Sequence, residues 1–204
     1  METYDKFMLL FDTLSPMCYD LTYRESRVMN VSLQEQLLIT MIKLRRNLPD
    51  VELAFLFGIS SVNVSNIFIT WVNFMYEIWS TINIWPNKEL VKFYMPEQFK
   101  QDFPNTRVII DTTEIPIMKP SNPISQQATF SSYKHKNTLK AMIGATPGGL
   151  ISYVSDCYGG SVSDRQIMER SNLDKLCESG DSIMADRGFN VQDLLIPRNV
   201  TFRY

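Results

Sequence analysis

The chain predicts an α/β domain built on a mixed sheet and preceded by an all-α region, and three features carry that prediction. Two brief apolar runs, Arg107-Val-Ile-Ile-Asp111 and Ser182-Ile-Met-Ala-Asp186, each stop abruptly at an aspartate; runs of this length and character read as buried strands. The apolar spacing is helical in the first part of the chain and changes at Arg107 to that of strands. A helical stretch from about Asp164 to Cys177 then supplies the crossover that a parallel return demands.

Taken in order, residues 1–31 are a mixed lead-in with no clear assignment. Ser32 to Arg46 reads as an amphipathic helix. Ser32 and Glu35 make a capping box, Leu37, Leu38, Met41 and Leu44 line one face, and Lys43, Arg45 and Arg46 cluster near the end, where the helix dipole favours cations. Asp50 to Phe57 is a shorter helix stopped by Gly58, and Ser60 or Ser61 caps a third through Val64, Ile67, Phe68, Trp71, Phe74 and Ile78. The last two have the shape of a helix-turn-helix: Ala54 allows close packing, Gly58 supplies the turn and Val64 anchors the next helix. The same pattern serves plain helical bundles, and charge argues against DNA. No Lys or Arg occurs between Arg46 and Lys88, while Asp50, Glu52 and Glu77 are acidic. Asn63 and Asn66 remain as side chains able to read base edges.

Pro86, Pro96 and Pro104 mark a linker that carries one short helix near Glu97 to Asp102. Strands are expected at 107–112, 138–146 and 150–155, the last two joined by the Pro147-Gly148-Gly149 turn, followed by the helix and the strand 182–186. Three strands in a meander, a crossover helix and a strand returning beside the first are the start of a ribonuclease H-like fold, truncated because the chain reaches Tyr204 soon after its fourth strand. The boundaries are a lead-in at 1–31, a helix-turn-helix region at 32–86, a linker at 87–106 and an incomplete α/β domain at 107–204.

Composition bounds the rest. With 45% apolar and 21% charged residues and a net charge of −2, the chain has an ordinary globular composition and no global basic field. Cys18, Cys157 and Cys177 are odd in number and lack metal-ligand spacing, so reduced thiols are expected. No run approaches the ~18 apolar residues of a membrane span, and the start lacks a signal-peptide pattern; a nuclear or cytoplasmic protein is expected. His135 is the only histidine, which leaves no basis for a His-based zinc site or a Ser-His-Asp triad.

In the expected topology Asp111 and Asp186 end neighbouring strands. Like charges so placed need a proton or a hard cation between them. Either aspartate alone reads better as a solvated strand end, or as a partner of Arg187 in the case of Asp186; both together favour a metal site. Asp164 opens the crossover helix, where an acid also simply offsets the dipole. Glu114, three residues past Asp111, points to the other face of a regular strand and is left out. In Tyr133-Lys-His-Lys-Asn-Thr-Leu-Lys140, the lysines Lys134, Lys136 and Lys140 can grip a phosphate backbone and Tyr133 or His135 can stack on a base; a solvated edge strand is the equal alternative.

These phrases together resemble the DDE superfamily endonuclease of Harbinger-type transposases. The resemblance rests on Asn105-Thr-Arg-Val-Ile-Ile-Asp-Thr-Thr-Glu-Ile115, Pro120-Ser-Asn122, Tyr133-Lys134, Gly159-Gly-Ser-Val-Ser-Asp164 and Ala185-Asp-Arg-Gly-Phe-Asn190, with Leu33 to Pro86 resembling the family's helix-turn-helix. It implies a transposase-derived nuclease acting on DNA with divalent metal, Mg²⁺ or Mn²⁺, in which Asp111 and Asp186 are catalytic and Asp111, Asp164 and Asp186 hold the metal. The family's final glutamate lies on a later helix that the chain does not reach, and Asn66 stands where relatives often carry a basic residue. The resemblance therefore also implies an inactive derivative that binds DNA or protein, with weak DNA affinity from the helix-turn-helix alone and a partner chain or a second copy as company. The uncovered sheet face is expected to expose apolar surface and lower stability.

Overall fold

The computed structural model describes residues 3–204; Met1 and Glu2, the first residues of the expected lead-in, lie outside the described residues. The chain divides into two units, one ending at Asn83 and the other spanning Ile84–Tyr204, each with its own apolar core.

The first unit is helical: α1 Tyr4–Cys18, α2 Leu33–Arg46, α3 Asp50–Phe57 and α4 Ser61–Trp79. Helix α1 falls where the sequence offered no assignment. Its buried residues Phe11, Leu14 and Cys18 keep helical spacing, but Pro16 near its end masks the pattern. The Ser32–Glu35 capping box of α2 is present. Its expected apolar face is buried only in part: Leu37 is inside and Met41 packs on the core, but Leu38 is 38% and Leu44 54% exposed, and Gln36, Ile39 and Thr40 are buried beside Leu37. Gln36 goes inside because its amide is fully used. Nε2 donates to the Val28 and Val31 carbonyls (3.2 and 3.0 Å), and Oε1 accepts from the Tyr23 hydroxyl and Trp71 Nε1 (2.6 and 3.1 Å).

Gly58, at φ +64°, ends α3 in the left-handed region, and Ser60 is the residue that caps α4. The two helices meet at 102°, within the range of a helix-turn-helix. No single helix among the described residues is long and apolar enough to cross a membrane. Asn66 is not available to read bases: its side chain is buried, donating to Ser26 O at 2.7 Å and accepting from Glu25 N at 3.2 Å. Asn63 keeps a half-buried position.

The second unit contains α5 Lys88–Tyr94, α6 Glu97–Asp102, β1 Thr106–Pro116, α7 Pro123–Thr129, β2 Phe130–Ser131, β3 Lys136–Ala145, β4 Ile151–Val154 and β5 Tyr158–Gly159. After these come α8 Asp164–Ser171, α9 Leu173–Leu176, β6 Ser182–Ala185, α10 Gln192–Leu195, a 3₁₀ turn at Ile196–Arg198 and β7 Thr201–Arg203. The strands form one mixed sheet in the order β2-β3-β1-β6-β7, with β4 and β5 also on β3. Strand β3 runs antiparallel to β1 and β4, α8 and α9 cross over, and β6 returns parallel to β1 with β7 parallel beyond it. This is the ribonuclease H-like arrangement. Strand β1 is longer than expected, and the helix expected over 164–177 breaks at Asn172, which takes φ +54°. Val108, Ile110, Met142, Ile183 and Ala185 from one sheet face bury against Ile167, Met168 and Leu173 of α8 and α9. Each of these Val, Ile, Leu and Met side chains contributes about 1.5–3 kcal/mol.

Candidate active site

Parallel pairing of β1 with β6 sets Ile110 beside Ala185. Both are buried in the face covered by α8, so the next residues, Asp111 and Asp186, emerge together on the other face, and both are exposed. The aspartates are held only by local backbone: Asp111 Oδ1 accepts the Thr112 N–H at 2.8 Å, and Asp186 Oδ1 the Arg187 N–H at 2.7 Å. Among the described residues neither carboxylate has an ion-pair partner, so the alternative in which Arg187 neutralises Asp186 is not realised.

Asp164 arrives from the other face of the sheet. Ser163 and Gln166 form a capping box that fixes it as the first residue of α8. Its Oδ1 accepts from Thr112 Oγ1 at 2.9 Å and from Lys140 Nζ at 3.2 Å. Glu114 shares this face with Thr112, as alternation requires, and stands opposite Lys140 in the β1–β3 register. Its Oε1 lies 3.6 Å from Lys140 Nζ and its Oε2 accepts from Thr138 Oγ1 at 2.8 Å. Burial raises the Glu114 carboxyl, but hydrogen bonds from Ser131 and Thr138 and the Lys140 ammonium outweigh it and hold the group below its ordinary range. The glycine pair before α8 serves the same packing. A Cβ on Gly160 would meet Thr138 Oγ1 at 2.1 Å, and one on Gly159 would meet the Ala128 carbonyl oxygen at 2.1 Å.

Both faces open at the carboxyl end of the central strands into one cavity of about 680 Å³, lined by Asp111, Glu114, Asp164 and Asp186 together with Lys134 and Lys140. Tyr133 joins them from the β2–β3 turn, with Lys134 Nζ 4.6 Å from its ring centre. The basic stretch is thereby divided. His135 takes φ +52° and lines a different cavity with Lys136. Alternation placed Glu114 on the correct face but excluded it from a site that both faces share. The signal that finds it is the register partner Lys140.

The uncommitted Asp111–Asp186 pair suits a hard divalent ion with oxygen ligands. Asp164 is spoken for by Lys140 and Thr112, and among the described residues no three His, Cys, Asp or Glu side chains gather as a metal cage.

Residues 110–201 match the family model described as DDE superfamily endonuclease, and residues 30–80 match the one described as helix-turn-helix of DDE superfamily endonuclease. The first span contains all four cavity acids, and the second contains α2 to α4. No curated protein matches. The crystal structure of a pre-cleavage Mos1 transpososome shares 12% identity over 99% of this chain and 68% of its own, with a TM-score of 0.32, a likeness too faint to bear on fold or function. By both matches, helix-turn-helix first and endonuclease domain second, the chain is similar over these spans to the DDE superfamily endonucleases.

Proposed function

We propose that this chain is a transposase-derived, divalent-metal-dependent DNA endonuclease module whose chemistry is phosphodiester cleavage and strand transfer. The observation that supports it best is the emergence of Asp111 and Asp186 just past the parallel pair Ile110 and Ala185, in one cavity, with no ion-pair partner for either among the described residues. In this reading Asp111 and Asp186 are the catalytic pair that holds Mg²⁺ or Mn²⁺, and Asp164 is the additional acid of the site. When bound, the ion supplies Lewis-acid stabilisation of phosphoryl oxygens. Lys134 meets the nucleic-acid backbone and Tyr133, 78% exposed, offers a face for base stacking. DNA is the substrate and the nucleus the place of action.

Titration calorimetry with Mn²⁺, paired with cleavage of duplex DNA, tests the proposal. Asp111→Asn and Asp186→Asn are each expected to weaken Mn²⁺ binding by more than about tenfold, the loss typical even of residues that only support a metal ligand. Unchanged binding in both variants would sink the metal site.

A second reading, a non-catalytic derivative that binds protein or DNA through the helical unit, is favoured by one observation. Helix α3 exposes Val51, Phe55 and Leu56, Phe55 to 87%, on a helix-turn-helix without a lysine or arginine. In that case Mn²⁺ fails to bind while the purified chain still captures its partner.

A further inference from the structure

The fold holds Lys140 in place between two acids, and the proposed chemistry leaves it without a task. Its side chain is 12% exposed, and its ammonium sits 3.2 Å from Asp164 Oδ1 and 3.6 Å from Glu114 Oε1. Both acids are locked from their own side, Asp164 by the Thr112 hydroxyl at 2.9 Å and Glu114 by the Thr138 hydroxyl at 2.8 Å. A lysine ammonium is a compact, strongly hydrated point charge. Held between two carboxylate oxygens, it fills the role that a hard cation fills elsewhere.

Charge leads to the same conclusion. Asp111, Glu114, Asp164 and Asp186 bring four negative charges to the cavity, and Lys134 and Lys140 bring two positive ones. One divalent ion balances the remainder; a second, without nucleic acid, leaves the cavity strongly positive. Asp111 and Asp186 leave by the face opposite to that of Glu114 and Lys140, and no three acids gather as one cage among the described residues.

We propose that the site takes a single divalent ion, at Asp111 and Asp186, and that Lys140 is a built-in second cation that withholds Asp164 and Glu114 from another ion. The inference rests on the metal-site reading given above. Lys140 thereby contributes positive charge to a bound phosphate without Lewis acidity, and it positions Asp164.

The test is a count. Mn²⁺ is titrated into the full chain, with bound ions counted by calorimetry and free Mn²⁺ followed by its paramagnetic resonance signal. The wild type and Lys140→Arg, which keeps the charge, are expected to bind one ion per chain, and Lys140→Met to bind two. Two ions in the wild type, or a single ion in a folded Lys140→Met, overturns the role of Lys140 and leaves the metal site standing. No ion in the wild type removes the metal reading and this inference with it. Should Lys140→Met fail to fold by circular dichroism, Asp164→Asn decides. It keeps one ion and loses less affinity than Asp186→Asn if Lys140 holds Asp164, and an equal loss overturns the proposal.

Discussion

Glu114 shows what one partnered carboxylate contributes. Its folded value is held below the ordinary one by Ser131, Thr138 and Lys140 against the opposing effect of burial. A depressed carboxylate contributes stability that is present above its unfolded value, about pH 4.3, and lost as pH falls through the folded value. Glu114→Gln should therefore melt below the wild type at neutral pH, with the gap closing as the pH falls below about 4; a gap of constant size would refute the assignment. The strand segments before Asp111 and Asp186 were legible as short apolar runs that stop at an acid; β6 does end there, whereas β1 runs on through Asp111 to Pro116 because its later residues pair with β3. Gln36 and Asn66 were not legible as buried residues. Their burial depends on partners such as Trp71 and Ser26, 35 and 40 residues away, and a polar side chain does not advertise a distant hydrogen bond.

At the scale of elements, α8 carries Asp164 and owes its start to Ser163. Removing a serine cap costs about 1 kcal/mol, so Ser163→Ala should lower the unfolding free energy by that amount, read as a lower denaturant midpoint at an unchanged slope. An unmoved midpoint would mean the helix is set by packing of Ile167 and Met168 alone. Strands β1, β3, β4 and β6 and helices α2, α3, α4 and α6 were readable from spacing and punctuation. Strands β2, β5 and β7 were not: two or three residues contain no period. The break at Asn172 was hidden for a different reason, because a left-handed asparagine can sit within a helical pattern without altering its apolar spacing.

At the scale of the whole molecule, the two units differ in how far apart in sequence their contacts lie. The helical unit packs neighbours such as α2 with α4 and α3 with α4. In the other unit β1 must accept β3 on one side and, only after the crossover, β6 on the other. Non-local pairing is slow to form, because the entropy of closing a long loop is lost before any contact rewards it. The Asp111–Asp186 pair exists only once β6 has docked, so in refolding the ability to take up Mn²⁺ should appear late. A stopped-flow experiment should show helical ellipticity recovering first and ion uptake lagging behind it; simultaneous recovery would contradict this order. On the metal reading proposed above, the same delay has a consequence for a chain still folding: a carboxylate pair that is assembled last cannot trap an ion in a half-folded state.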